Sequence, residues 1–599
     1  MFNQWTYSYK DVVSKVKGAH TMKFGGEATV FHFVQDAPWS ARPNWGFANY
    51  WDFLNDATVN LSKNPVLSGQ AGETGTFNPL TGVPTDVRKD SRVTWWGFFF
   101  QDSWKARPNL TLTMGLRWDY FGSPYFLHNA MSSVELGQGT SVLTGLNMRI
   151  GGSLYTPPKS NFSPQLGFAW SPDAVFGHEM NGRLVLRGGF GMAYNGQEQA
   201  ITLNGWPNVP FAIGSTQLFG SNVVYDFPAN PNQFQPYPSN PNTIVTFNSA
   251  NLPANGPPVG VTGFPSYYPT AYAYRYSLVG QYDLGRNWVA TLGFQGTNSH
   301  HLTRQYNLNS VYGAQGIPLN PLVNNVDWYA QDGNAHFNAM WVEINHQFSS
   351  QFQIAASYRH ASSVDNASQP YAVSYYQWSP SANYGPSDFN VGNAFKVYGV
   401  YSPVMFASEG WKRSILGGWT FSGIMNYHTG FPYSPVFNAG TCDIIYQGGN
   451  CQNGTNGQLL PAQYLGGAVT SHINGTFLGQ GGQFPNGGLA YFVAPTVTPC
   501  TLPFPQVCGG APQAPGMGRN QFTGPTYFDL DMTMTKAFML PRIPGIGEGS
   551  QLQLQMSAFN LFNTLNLASV DNVITDPHFG QATSALGART AEVQFKFVF

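Results

Sequence analysis

The segment NLTLTMGLRWDYFG, residues 109–122, alternates between apolar residues and polar or small ones. A repeat of two residues is typical of an extended strand, because an α-helix repeats every 3.6 residues. A strand of about ten residues also crosses a bilayer when it is tilted. The segment therefore predicts a strand whose apolar face looks at a protein core or at lipid. That face carries Leu110, Leu112, Met114, Leu116, Trp118 and Tyr120.

The same alternation recurs along the chain, in RLVLRGGFGMAY, NWVATLGFQG, GWTFSGIMNYH and YFDLDMTMTKAF. The final residues, TAEVQFKFVF, place Val593, Phe595, Phe597 and Phe599 on one face. Many apolar faces begin or end on Trp, Tyr or Phe, as in the aromatic girdles of membrane barrels. We expect Phe599 to end the last strand at the periplasmic rim.

The amino-acid composition helps to decide whether these apolar faces contact a protein core or lipid. Of the 599 residues, 15% are aromatic and 10% are charged, with a net charge of -1. Soluble proteins carry about 25% charged residues, and disordered chains are poor in aromatics. The charge balance gives no basic stripe for nucleic acid. The sequence contains no run of about 18 apolar residues, so it predicts no transmembrane helix. A membrane protein of this kind has to be a closed β-barrel.

We predict an all-β fold, a transmembrane antiparallel up-and-down barrel with about fifteen strands. Its long connections are extracellular and its short ones periplasmic, an alternation that barrels require. A soluble, secreted β-sandwich or propeller is the alternative. The predicted strands cover residues 5–15, 20–33, 92–105, 109–121, 163–171, 182–195, 272–284, 287–298, 337–349, 351–361, 392–405, 417–428, 526–538, 550–562 and 590–599.

The longest predicted outer loop, 429–525, contains all four cysteines. Two short-range disulfides, Cys442 with Cys451 and Cys500 with Cys508, suit an oxidising compartment. A zinc site is the alternative, but the spacing lacks a CxxC pair.

The segment FFFQDSWKARPNLTLTMGLRWDY, residues 98–120, resembles the barrel of TonB-dependent outer-membrane receptors. HTMKFGGE, GFQGTNSHHL and the C-terminal strands from GRNQFTG onward resemble the same family, the last of them its Oar-like subgroup. The resemblance implies a receptor of the Gram-negative outer membrane, inserted by the barrel assembly machinery and coupled to the TonB complex through an N-terminal region. The matching residues of the first segment are Gln101, Asp102, Trp104, Leu110, Thr111, Leu112, Gly115, Leu116 and Arg117.

The sequence departs from this family at its start. The family has a signal peptide, a TonB box, a plug domain and about 22 strands, and none of the first three is recognisable here. We expect residues 1–599 to be one barrel domain from an N-terminally truncated chain that lacks the plug and its first strands. The alternative is a porin-sized barrel of fourteen or sixteen strands without a plug.

No motif predicts an enzyme. HExxH, a Walker loop and GxSxG before a helix are all absent from the sequence. The pair His300–His301 could chelate a metal, but it lies in a strand-to-loop motif of the family, and we predict no metal and no cofactor. Five charged residues fall on the polar faces of strands. They predict either ordinary polarity of the barrel lumen or contacts with a plug or a passing solute, and they are Arg117, Asp119, Arg187, Asp529 and Asp531.

Aromatic residues among Asn, Pro and Gly in the outer loops suit sugars, peptides or other planar ligands. Packing of the loops against one another is the alternative interpretation. The candidate ligand-binding residues are Trp45, Tyr50, Trp51, Trp206, Tyr267, Tyr268 and Trp378. The leading hypothesis is import of a scarce, large solute (an oligosaccharide, peptide or chelate) with energy from the inner membrane. A passive porin-like channel or a surface-binding adhesin barrel is the alternative.

Overall fold

The structure is a computed structural model of the 599-residue chain. The structure describes most strands and part of the loops. The described residues are 2–35, 44–47, 50, 71–85, 89–198, 201, 204–205, 207–218, 243–256, 258–308, 320–349, 351–369, 381–404, 415–438, 459–461, 463–464, 492–493, 518–539, 550–568, 570–573, 582 and 584–598. The predicted loop 429–525, with its four cysteines, lies largely outside these residues, as does Phe599.

One sheet of 18 strands dominates the protein, and fifteen of its strands are long. Each long strand pairs antiparallel with the next one along the chain. This is the up-and-down order of a membrane barrel. The fifteen strands are β1 (Phe2–Lys17), β2 (His20–Gln35), β3 (Lys89–Arg107), β4 (Leu110–Phe121), β5 (Asn161–Trp170), β6 (Leu184–Asn195), β7 (Ala271–Gly285), β8 (Trp288–Asn307), β9 (Val323–Ser349), β10 (Phe352–Asp365), β11 (Asn393–Tyr401), β12 (Trp419–His428), β13 (Tyr527–Met539), β14 (Gln551–Phe559) and β15 (Thr590–Val598).

The apolar rows of these strands lie on one face of the sheet and are exposed. Phe98 pairs with Trp118 and Phe100 with Leu116, and these residues share that face. The side chains of Phe98, Leu116 and Leu292 are 52%, 49% and 56% exposed. Large apolar side chains exposed over a whole sheet have lipid as their solvent. The predicted strands, their order and the alternation of long and short connections are confirmed.

Two strands are much longer than predicted. β8 has 20 residues and β9 has 27, whereas the predicted strands covered 287–298 and 337–349. The added residues continue the ladder through two register shifts, so that Arg304 pairs with Ala330. The shifts interrupt the period of two in the sequence, and the predicted strands therefore ended before the shifts. This hairpin rises well beyond the roughly ten residues that cross a bilayer.

The outer loops form a folded layer with its own apolar core, which we call the cap. Described residues within 126–155, 201–268 and 308–330 build it, and its most buried side chains include Leu143, Leu146, Met148 and Val323. In the cap, Val259–Gly263 runs parallel to β9, and Ser132–Glu135 forms a hairpin with Asn147–Ile150. Ile213–Leu218 pairs with Ala71–Phe77, which pairs in turn with Asn44–Phe47.

The cap packs against the inner face of the wall at its outer end. Phe33 of β2 packs against a cap cluster that contains Phe126, Tyr155 and Tyr268. The inward-facing β3 residues Ser91 and Val93 are both buried. The cap therefore covers part of the inner face of the wall.

The remaining described elements are short. The short elements are strands Tyr125–Phe126, Ala174–Val175, His178–Glu179, Gly385–Pro386, Pro432–Tyr433, Val436–Asn438, Leu459–Pro461, Gln463–Tyr464, Phe492–Val493 and Phe522–Thr523, and 3-10 turns Leu127–Asn129, Gly139–Ser141 and Ser381–Asn383.

The two edge strands of the sheet are β1 and β15. They run in the same direction because the number of long strands is odd, and each has a paired neighbour on one side within the described residues. In the part of the chain that is described, no helix is long and apolar enough to cross a membrane.

Candidate functional site

A cluster of charged side chains lies on the inner face of β1 to β4. Arg117 Nε donates to both carboxylate oxygens of Asp119, at 2.8 and 3.0 Å, and Arg117 Nη2 donates to the Glu27 carboxylate. Lys10 Nζ lies 3.9 Å from the Glu27 carboxylate. Gly97 leaves room for the Arg117 guanidinium, because a Cβ at that position would collide with it. Two carboxylates and two cations thus neutralise one another beside the interior.

The other three charged residues predicted from the sequence lie elsewhere on the wall. Arg187 Nη1 donates to the side-chain oxygen of Gln281 at 2.9 Å. Asp531 Oδ1 accepts a hydrogen bond from the Asn560 backbone at 2.9 Å. Asp529 lies two residues before Asp531 on the same face, and its Oδ1 is buried with no hydrogen-bond partner among the described residues. All three side chains belong to the face opposite the apolar rows. Contact with a passing solute stays a prediction for each of them.

An arginine that sequence reasoning missed joins two outer loops. Arg519 Nη2 forms a buried ion pair with Asp365 and donates to Ser368 Oγ at 2.9 Å and to the Pro386 carbonyl at 3.2 Å. Arg519 Nη1 donates to the carbonyls of Asp365 and Asn383, both at 3.2 Å. Arg519 stands in GRNQFTG, a segment quoted only for its family resemblance. The only feature of the sequence that could have indicated this role is that Arg519 is a single charged residue in a segment rich in Gly and Asn.

The adjacent tyrosines 267 and 268 have opposite environments. Tyr268 is 3% exposed and stacks on Tyr155, with ring centroids 4.5 Å apart. Tyr267 is 58% exposed. Tyr268 thus packs the cap, as the alternative interpretation of the loop aromatics had it, while Tyr267 presents its ring to solvent. Tyr50 is also exposed, at 67%. The side chain of Trp45 and the whole of Trp51, Trp206 and Trp378 lie outside the described residues.

Burial in the cap shifts several pKa values. Loss of hydration raises the pKa of Tyr155 and of Tyr268, because burial penalises the phenolate. Lys89, at the outer end of β3, donates a hydrogen bond to the Ala130 carbonyl, and its ammonium lies 4.3 Å from the Phe211 ring centroid. Desolvation lowers the pKa of Lys89 to about 7. The contact between cap and wall therefore contains a group that titrates near neutral pH.

The two adjacent histidines have separate partners. His300 Nδ1 lies 2.8 Å from Asn334 Oδ1, and His301 Nδ1 lies 3.2 Å from the Gln331 carbonyl. No group of three or more His, Cys, Asp or Glu side chains is placed to hold a metal ion in the part of the chain that the structure describes.

The arrangement defines the class of protein. A single meandering sheet with an apolar outer face, a charged inner face and long loops at one end is a membrane-spanning β-barrel. The sequence matches the model of the outer membrane beta barrel domain family over residues 2–592. The chain belongs to that family, and the protein resides in the outer membrane of a Gram-negative bacterium.

Solved structures of outer-membrane receptors and transporters share low similarity with the chain. The outer membrane transporter YddB from Escherichia coli is 10% identical with a TM-score of 0.47, and the match covers 99% of this chain and 53% of that one. The siderophore receptor PiuA from Acinetobacter baumannii is 10% identical with a TM-score of 0.41, over 99% and 56% of the two chains. A mutant ferric enterobactin receptor, PfeA, from Pseudomonas aeruginosa is 11% identical with a TM-score of 0.44, over 99% and 54%. The chain thus spans about half the length of these proteins. No curated protein sequence matches it.

Proposed function

We propose that the chain is the barrel portion of a TonB-dependent outer-membrane receptor that imports a scarce, large solute. The family membership and the motifs at 98–120 and 293–302 support this reading. The strongest structural support for a receptor is the cap. Loops that only kept an open pore hydrated would not need an apolar core of their own.

The cap is the candidate receptor surface. Its buried cluster, which includes Tyr155 and Tyr268, holds the loops in a fixed arrangement. Exposed Tyr267 then stands on a rigid base and offers an aromatic face to a sugar, peptide or chelate. A rigid base matters because ordering a loop on binding costs affinity.

The charged cluster around Arg117 is the candidate contact for whatever occupies the interior. Its charges cancel internally, so a neutral or weakly charged solute can pass without strong trapping. In the same proposal, a plug and a TonB box encoded outside the 599 residues couple the barrel to the inner membrane, and the barrel assembly machinery inserts it.

Binding and energised uptake are tested separately. A panel of oligosaccharides, peptides and ferric chelates is screened against the detergent-solubilised protein and the Tyr267→Ala variant. Uptake of any solute bound is then measured in cells, with and without a protonophore. The proposal expects weaker binding by Tyr267→Ala and uptake that stops when the proton gradient collapses. Uptake that continues unchanged without the gradient would refute active import.

The second candidate is a passive channel or an adhesin barrel. The match to the outer membrane beta barrel domain family fits it equally well, because that match does not specify energy coupling. Single-channel recordings separate the candidates, because a passive porin conducts ions continuously in a planar bilayer. Steady conductance in the native protein would favour the channel.

A further inference from the structure

Three histidines lie on the lipid-facing side of three neighbouring strands. They are His300 on β8, His336 on β9 and His360 on β10. His336 shares a strand face with Met340 and Ile344, which are 52% and 43% exposed in the apolar band. The ladder pairs His300 with Tyr272, and His300 and His336 continue that band outward. His360 pairs with Met340 and lies at the level of the band itself.

Each of the three imidazoles has the same hydrogen-bond partner, an asparagine side-chain oxygen. The distances from Nδ1 to Oδ1 are 2.8 Å for His300 with Asn334, 3.0 Å for His336 with Asn298 and 2.9 Å for His360 with Asn393. An amide oxygen only accepts, so Nδ1 of each ring carries the proton. Nε2 of the neutral ring is then an acceptor. No hydrogen bond to Nε2 of these rings is found within the described residues.

At two of the three sites, Asn334 and Asn393, a second hydrogen bond supports the amide orientation that fixes this tautomer. Asn334 Nδ2 donates to the Asp332 carbonyl at 3.3 Å, which turns its Oδ1 toward His300. Asn393 Oδ1 also accepts from the Tyr358 hydroxyl at 2.7 Å. The repeated geometry gives the outer rim a row of hydrogen-bond acceptors.

Aromatic rings lie beside His300 and His336. The ring centroid of Tyr272 lies 5.2 Å from that of His300, His300 lies 6.1 Å from His336, and Tyr384 lies 6.0 Å from His336. We call Tyr272, His300, His336, Tyr384 and His360 the outer-rim patch. The nearby cations Arg275 and Arg359 point to the opposite face, because they alternate with Tyr274 and Tyr358. The patch is therefore aromatic and polar but carries no fixed positive charge.

The position of the patch along the strand matches the edge of the hydrocarbon layer. On β9, His336 lies ten residues from His346, which meets Trp288 near the periplasmic turn with ring centroids 4.8 Å apart. Ten residues span about 33 Å along a strand, or about 25 Å along the membrane normal at a tilt near 40°. That is the height of the apolar band of such barrels. The outer-rim patch therefore faces the headgroups of the outer leaflet.

We propose that the outer-rim patch binds the sugar headgroup of an outer-leaflet glycolipid. Sugar hydroxyls donate hydrogen bonds to the Nε2 acceptors, and the tyrosine rings pack against the apolar faces of the sugar. A phosphate group fits less well, since it is itself an acceptor and meets no cation here. The site is continuous with the lipid-facing band, so the acyl chains of the glycolipid stay in the membrane. The proposal does not depend on what the barrel transports.

The test compares retention of defined lipids by the full chain in detergent micelles. The probes are lipid A with and without its phosphates, and phosphatidylglycerol, each counted per protein by native mass spectrometry. The test variant is His300→Phe with His336→Phe, which keeps aromatic rings but removes the acceptors. The control is His346→Phe, on the same face of β9 at the periplasmic rim. Heat-modifiable gel mobility reports whether each variant is folded.

Wild type and His346→Phe are expected to retain the dephosphorylated glycolipid, and the double variant to retain about fivefold less. Retention of phosphatidylglycerol should be the same in all three proteins. Three results would overturn the proposal: equal glycolipid retention by the double variant, an equal loss in the control, or retention of lipid A only when its phosphates are present. If the double variant does not fold, the single variant His360→Phe is tested against the same control.

Discussion

Arg519 and Asp365 form a buried ion pair across 154 residues of sequence, which joins the end of one long outer loop to the outer end of β10. Both side chains are almost completely buried, at 7% and 3% exposure. A buried charge depends on its partner, because removing one member leaves the other desolvated. The pair therefore holds two loops together only while both members are present.

Replacing Arg519 by alanine should loosen this junction. We expect Arg519→Ala to destabilise it by about 3–5 kcal/mol, since Asp365 would be left buried and unpaired. Limited proteolysis of the folded barrel measures the effect as faster cleavage within 366–392. Arg187→Ala is the matched control, because Arg187 is exposed and its one described hydrogen bond goes to Gln281. Equal protection of Arg519→Ala and wild type would contradict the prediction.

Lys89 should make the contact between cap and wall depend on pH. Its pKa falls from 10.5 in the unfolded chain to about 7 in the folded protein. Between these values the unfolded chain binds more protons, so stability rises with pH from about 7 to about 10.5 and is lowest below 7. The full span corresponds to at most about 5 kcal/mol.

The pH prediction is checked by measuring protease resistance of the cap at pH 7 and at pH 9.5. Wild type should be more resistant at the higher pH. Lys89→Met keeps the length of the side chain and its contact with the Phe211 ring but has no proton to lose, so its resistance should change little between the two values. A variant that follows wild type at both pH values would show that another group is responsible.

The wall of this protein could be predicted from its sequence because one environment governs every strand. Lipid on one side and a polar interior on the other impose a period of two, as in Leu110 to Tyr120, and the structure follows that period strand by strand. Register shifts in β8 and β9 interrupt the period of two, and the predicted strands were too short there.

The cap could not be predicted in the same way. Its core joins residues far apart in sequence, such as Leu143 and Val323, and loop sequences carry no periodic pattern to reveal such contacts. Tyr267 and Tyr268 show the difficulty, since neighbouring residues of the same type have opposite exposure. Arg519 is a similar case, because its partners lie more than 130 residues away.

The two tyrosines should separate cap stability from ligand binding. Tyr268→Ala removes a buried ring that stacks on Tyr155, and we expect it to destabilise the cap by about 3 kcal/mol. Tyr267→Ala should leave the stability within about 0.5 kcal/mol of wild type, because the ring is exposed. Thermal denaturation followed by near-UV circular dichroism compares them. Equal losses in both variants would mean that Tyr267 also packs the cap.

A charge on the outer face should oppose insertion into the membrane. Leu292 lies near the middle of the membrane-spanning part of β8, on the lipid-facing side, and is 56% exposed. Leu292→Arg is expected to cost about 2–4 kcal/mol of folding free energy in a bilayer, because the guanidinium would lie near the midplane. Gln295→Arg is the matched control on the same strand, since Gln295 faces the interior. Folding into phosphatidylcholine vesicles in urea, followed by heat-modifiable gel mobility, should show a loss for Leu292→Arg and little change for Gln295→Arg. The opposite order would mean that the two faces of the wall have been assigned the wrong way round.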